Sequence, residues 1–160
     1  MRKEIAESVW KTPSKVLALA LMDLEAIEKM PDTYKINMET WHTASNEGNA
    51  PVCHVCLAGS VMSQTLGYRP DTDVFIDRVE SEHDQTVATA LVALEHYRRG
   101  YIDNFLFALI KRVGISKDLE CSYLKEFTDV SYVGILSPDD HINLKAQIAR
   151  DIKFFESKGF

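Results

Sequence analysis

In "SEHDQTVATALVALEHYRRGYIDNFLFALIKRVG", residues 81–114, two helical patterns abut at a single glycine, and this junction limits the fold more than any other stretch of the chain. Val87, Ala90, Leu91 and Leu94 recur at helical spacing, as do Ile102, Phe105, Leu106, Leu109 and Val113 after them. Ser81 and Asp84 stand like a capping box, Gly100 is placed to end the first helix, and Gly114 to end the second. Two apolar stripes separated by one glycine must turn sharply and pack on each other. The core is therefore expected to be helix on helix.

The same punctuation recurs elsewhere. Thr12 and Pro13 open a run with Leu17, Ala20, Leu21, Leu24 and Ile27 on one face, and Pro31 stops it. A shorter helix is expected from Ser116 to about Phe127, and a long one from Ser137 and Pro138 through Leu144, Ile148, Ile152 and Phe155. Counting a helix at Cys53, the expectation is mainly α with about six helices in one domain spanning residues 1–160. "YKINMETWHT", "DVSYVGIL" and "DVFIDRV" hold the strand signals, enough for a small accessory sheet of two or three strands. Ala44 to Val52, rich in Ser, Asn, Gly and Pro, reads as a mobile loop.

Composition narrows the functional classes. A net charge of −6 over 160 residues disfavours a general nucleic-acid binder, which needs clustered Lys and Arg, and suits a basic partner. The longest apolar run, Val16 to Met22, is far short of the roughly 20 residues that span a bilayer, and "MRKEIAESVWK" is charged throughout. No membrane anchor or leader is expected. Three cysteines without framework spacing suggest a reducing, cytoplasmic setting.

"PVCHVCLAGS", residues 51–60, raises the sharpest chemical question. Cys53 and Cys56 have the spacing of a zinc half-site or a redox dithiol, and His42 could join them as a third ligand. A packing reading competes: on a helix, Val55, Ala58, Gly59, Met62 and Leu66 form one apolar face, while Cys56, Gly59, Ser60 and Ser63 form a small-residue face that admits a close neighbour. The packing reading accounts for more residues. Trp41 and His42, before the polar loop, could instead stack on a small ligand.

Asp71, Asp73, Asp77 and Glu80 form an acidic segment that either is a solvated loop or meets a basic protein partner. It lacks the glycine and spacing of a calcium loop. Asp139, Asp140 and His141 follow Ser137 and Pro138, and Asp140 completes a capping pattern, so they read as a helix start. Phosphate-binding, dinucleotide, hydrolase and metalloprotease motifs are absent from the sequence, which points away from an enzyme without excluding a dispersed site.

"WHTASNEGNAPVCHVCLAGSVMSQTLG" followed by "ALVALEHYRRGY", within residues 41–101, resembles small uncharacterised helical proteins carried by bacteriophages and prophages. The resemblance implies a mobile-element origin and a helical domain. It carries no activity and no functional residue. The leading expectation is a non-catalytic intracellular protein-binding module, a phage-encoded accessory factor or inhibitor of a host protein, using Asp71, Asp73, Asp77 and Glu80 and no cofactor. The alternatives are a zinc or thiol-dependent enzyme at Cys53, Cys56 and His42, and a small-molecule binder at Trp41 and His42.

Overall fold

The computed structural model describes residues 4–48 and 50–160. Among them run eight helices and three strands, in the order α1 (Glu7–Lys11), α2 (Pro13–Glu28), β1 (Tyr34–Ile36), β2 (His42–Glu47), β3 (Ala50–Val55), α3 (Leu57–Gln64), α4 (Ile76–Glu82), α5 (Gln85–Arg98), α6 (Ile102–Ile110), α7 (Val113–Glu126) and α8 (Pro138–Ser157). The molecule is mainly helical with a small mixed sheet of order β1-β3-β2. Eight helices replace the expected six. The short α1 and α4 have too few turns to show a periodic stripe.

α2 is the central element, with Leu17, Ala20, Leu24 and Ile27 of the expected stripe buried and Leu21 only half-buried. It lies against α8, α3, α5 and β1. α8 runs antiparallel to α2. Ser14 N–H donates to the Phe160 carbonyl at one end (3.3 Å), and Glu28 meets His141 (2.9 Å) and Lys145 (3.1 Å) at the other. Ser137 caps α8 as expected, its hydroxyl accepting from the Asp140 N–H at 3.2 Å. Thr12 does not cap α2: its hydroxyl donates to the Ser8 carbonyl and ties α1 to α2 instead.

The corner at Gly100 forms as the sequence demands. Gly100 takes φ +80°, its N–H donates to the Tyr97 carbonyl (3.0 Å), and Tyr101 N–H reaches back to the His96 carbonyl (2.9 Å), so α5 ends in a Schellman motif and α6 folds back on it. Two boundaries differ from expectation. Ser81 lies inside α4, where its hydroxyl donates to the Arg78 carbonyl, and α5 starts only at Gln85. α6 ends at Ile110 because Lys111 adopts the left-handed conformation (φ 57°), which leaves Gly114 and Ser116 inside α7 and Val113 exposed.

Of the three strand signals only "YKINMETWHT" enters the sheet, supplying β1 and the first residues of β2. β2 and β3 form an antiparallel hairpin in the register His42↔Val55 to Glu47↔Ala50, and β1 adds parallel to β3, with Tyr34 opposite Cys53. The expected loop Ala44 to Val52 is thus the paired tip of this hairpin, Asn49 lying outside the described residues. "DVFIDRV" turns into α4. "DVSYVGIL" stays outside the sheet and touches it through one bridge, Asn37 to Ile135. Among the described residues no helix is long and apolar enough to cross a membrane.

Candidate functional site

The hairpin and α3 bring the singled-out residues of the middle of the chain together. Strand alternation sends Cys53 and Val55 into the core while Val52 and His54 stay half-buried, so Cys53 belongs to β3 and not to a helix. Cys56 is the N-cap of α3, its sulfur accepting from the Gly59 N–H at 3.3 Å. Both thiols are fully buried. His42, equally buried, sits with its ring against Cys53, the sulfur 3.6 Å from each ring nitrogen. Trp41 is half-buried against the core, and its carbonyl oxygen faces the start of α3.

This geometry can be read chemically. His42 Nδ1 lies 2.8 Å from the Thr72 carbonyl, which can only accept, so Nδ1 carries the ring proton. A sulfur equidistant from both nitrogens is off the axis of the Nε2 lone pair, which is where a thiol–imidazole couple must align. Burial lowers the pKa of His42, opposed by its bond to Thr72. Burial pushes the Cys53 and Cys56 thiols up to about 12. Both therefore stay protonated at neutral pH, the reverse of an acidified nucleophile. Cys56 Sγ is occupied at the helix start, and among the described residues no three His, Cys, Asp or Glu groups converge as a metal would require.

Two expectations follow for the thiols. The native chain should react with a water-soluble alkylating reagent at Cys121, which is exposed, and at all three cysteines only in denaturant. Fast native labelling of Cys53 or Cys56 would contradict their burial. A thiol whose folded pKa lies above its unfolded value, about 8.5, supports the fold fully below that value. That support is lost as pH rises toward the folded value of about 12. Urea midpoints should therefore fall between pH 9 and 11, and the fall should shrink in a Cys53→Ala, Cys56→Ala variant.

The acidic segment is anchored, not loose. Val74 and Val79 are buried, Val74 N–H donates to the His42 carbonyl (2.9 Å), and Asp73 Oδ1 accepts from the Ala44 N–H (2.8 Å). Asp73 is thus a backbone tie for β2. Asp71 pairs with Arg69 at 3.2 Å, a bond that lowers its carboxyl pKa. Tyr68 organises the far side, donating to Glu82 (2.7 Å) and lying under the Arg78 guanidinium; its hydroxyl is the leading cause of the lowered Glu82 pKa. Asp77 and Glu80 are exposed and in no ion pair among the described residues.

No family model, curated protein or solved structure matches this chain. The site must be judged on its own geometry. One residue escaped the sequence reading: Phe75, between Asp73 and Asp77, is 57% exposed while Val74 and Val79 beside it are fully buried. A single aromatic in a short turn has no periodicity to betray which way it points.

Proposed function

We propose that this protein acts by binding another protein, through a face made of Phe75 and the carboxylates Asp71, Asp77 and Glu80 around it. The observation that carries the reading is the large exposed aromatic set in an acidic rim on a segment pinned to β2. Interfaces concentrate their affinity in such aromatic anchors, and the surrounding charge selects and steers a partner of opposite sign. Asp73, counted with the others in the sequence reading, serves the fold. The partner is basic, and the contact works by covering its surface. The likeness of residues 41–101 to phage-borne proteins supports an accessory or inhibitory role inside a host cell, and the free, buried thiols suit a reducing compartment.

Affinity capture from the cells that naturally carry the protein tests this. Phe75→Ala should lower the affinity for the captured partner by about 30-fold, as truncating an anchor costs about 2 kcal/mol. Reversing Asp71, Asp77 and Glu80 to Lys should slow association and remove its salt dependence. The circular dichroism of both variants should match the wild type. A partner retained at full strength by both would end the proposal.

A further inference from the structure

Lys111 is the one non-glycine residue among those described that holds a left-handed backbone, at φ 57° and ψ 23°. A Cβ makes that conformation costly, and the cap it forms at the end of α6 is one that glycine usually provides. Strain of this kind persists where the side chain has a use. Its place in the fold suggests which. α6 folds back on α5 from the Gly100 corner, so its end returns to the start of α5, and α1 lies against both. Between the three helices is a pocket of about 390 Å³, and Lys111 lines it.

The lining has the make-up of a small-molecule site, an apolar wall with a few polar groups. Trp10 and Leu109, both buried, supply the wall. α5 contributes Gln85, Thr86 and Thr89, the two threonines half-buried, and none of these side chains has a hydrogen-bond partner among the described residues. Two lysines complete the lining, and they differ. Lys11 is neutralised by Glu7 at 2.9 Å, whereas Lys111 is in no ion pair among the described residues. The start of α5 and the end of α6 carry partial charges of opposite sign, which offset each other. Glu4 and Asp84 line a separate pocket of about 200 Å³, which shares Trp10 and Thr86 with this one. Lys111 is therefore the uncompensated charge of the larger pocket.

We propose that this pocket binds a small organic monoanion, a carboxylic acid on an apolar body. The carboxylate meets Lys111 and accepts from Gln85 or the threonine hydroxyls, and the apolar body lies against Trp10 and Leu109. One unpaired cation matches one negative charge. A phosphate monoester, with nearly two, would bring a charge that nothing in the pocket offsets. The site is separate from the Phe75 face and does not depend on a protein partner.

The test titrates the full chain, isotopically labelled, with benzoate, phenylacetate, cinnamate and hexanoate, and with the primary amide of each. At least one acid should bind saturably, with shifts centred on the Trp10 indole and the Thr89 and Leu109 amides. Its amide should bind about tenfold more weakly, the equivalent of one charge-assisted hydrogen bond. Lys111→Gly should lose the same factor while melting at or above the wild type, since glycine takes the left-handed conformation without strain. Lys111→Asn, also at ease there, repeats that test with a side chain in place. Thr89→Leu, which narrows the pocket and keeps the lysine, should abolish binding, and Phe75→Ala should leave it unchanged. No saturable binding by any of these acids at millimolar concentration, shifts centred elsewhere, equal binding of acid and amide, or full binding by the Lys111 or Thr89 variants would each overturn the proposal. So would phenyl phosphate bound more tightly than benzoate.

Discussion

Gly59→Ala should unfold the protein or lower its melting temperature by more than about 15 °C, although the same change in most helices is stabilising by about 1 kcal/mol. A Cβ at position 59 would lie 1.7 Å from the Trp41 carbonyl oxygen, 2.9 Å from the Trp41 carbonyl carbon and 3.1 Å from Val55 Cβ. The first two are backbone atoms and cannot rotate away. Trp41 leads directly into β2, while Cys56 N–H donates to that same carbonyl (3.4 Å) as it caps α3. Relief therefore requires moving a helix or a strand by more than an ångström, and both are held by the core. Overpacking that a side chain can absorb costs about 1–3 kcal/mol; a clash between backbones should exceed that and consume most of a typical stability of about 5–15 kcal/mol. Gly114→Ala is the matched control, because nothing lies within 4 Å of a Cβ there and the residue is helical. It should gain about 0.5–1 kcal/mol. Thermal melts of the two variants decide the matter, and a Gly59→Ala protein melting with the wild type would refute the contact of α3 with Trp41.

That contact shows how far the sequence could be read. A helical glycine flanked by Ala58 and Ser60 signals close approach, and the signal was correct, but periodicity cannot say what approaches: the neighbour is the Trp41 backbone and not another helix. Amphipathic stripes recovered α2, α5, α6 and α8 because each buries one face against a large core. The hairpin of β2 and β3 left no such trace. Thr43 to Ser45 and Val52 are half-buried while Asn46, Ala50 and Pro51 are exposed, so its tip alternates poorly and reads as a polar loop. Lys111 misled the boundary between α6 and α7 by taking a conformation that glycine usually occupies. At the candidate site, spacing brought out Cys53, Cys56 and His42, yet strand geometry separates the thiols onto different elements and turns Cys56 to the helix end. Phe75 was invisible because exposure of one aromatic depends on how Val74 and Val79 happen to be anchored.

Asp151→Ala is expected to be the most damaging substitution of a charged side chain, at about 3–5 kcal/mol. Asp151 is fully buried on α8, with Oδ2 accepting from the Tyr97 hydroxyl of α5 (2.6 Å) and the Tyr123 hydroxyl of α7 (2.8 Å), and Oδ1 accepting from Arg150 Nε (2.9 Å). Gln147 donates to the Tyr97 hydroxyl (3.3 Å) and accepts from Tyr132 (3.2 Å), which extends the tie to the segment before α8. Burial, and then the neighbouring Asp151 charge, hold the Tyr97 phenol well above its ordinary pKa, so it remains a donor across the working range. Removing the carboxylate strands two buried hydroxyls, each at about 1–3 kcal/mol if it finds no new partner. Arg150 loses less, since its side chain is 38% exposed and reaches water. The coupling can be isolated with Tyr97→Phe. Alone it should cost about 1–2 kcal/mol, and in the Asp151→Ala background close to nothing, because its acceptor is already gone. Denaturant unfolding of the four proteins in this cycle gives the answer. Additive losses would mean that Tyr97 and Asp151 support the fold separately, and that α8 is held by apolar packing, with Phe155 against Phe105 of α6, rather than through this carboxylate.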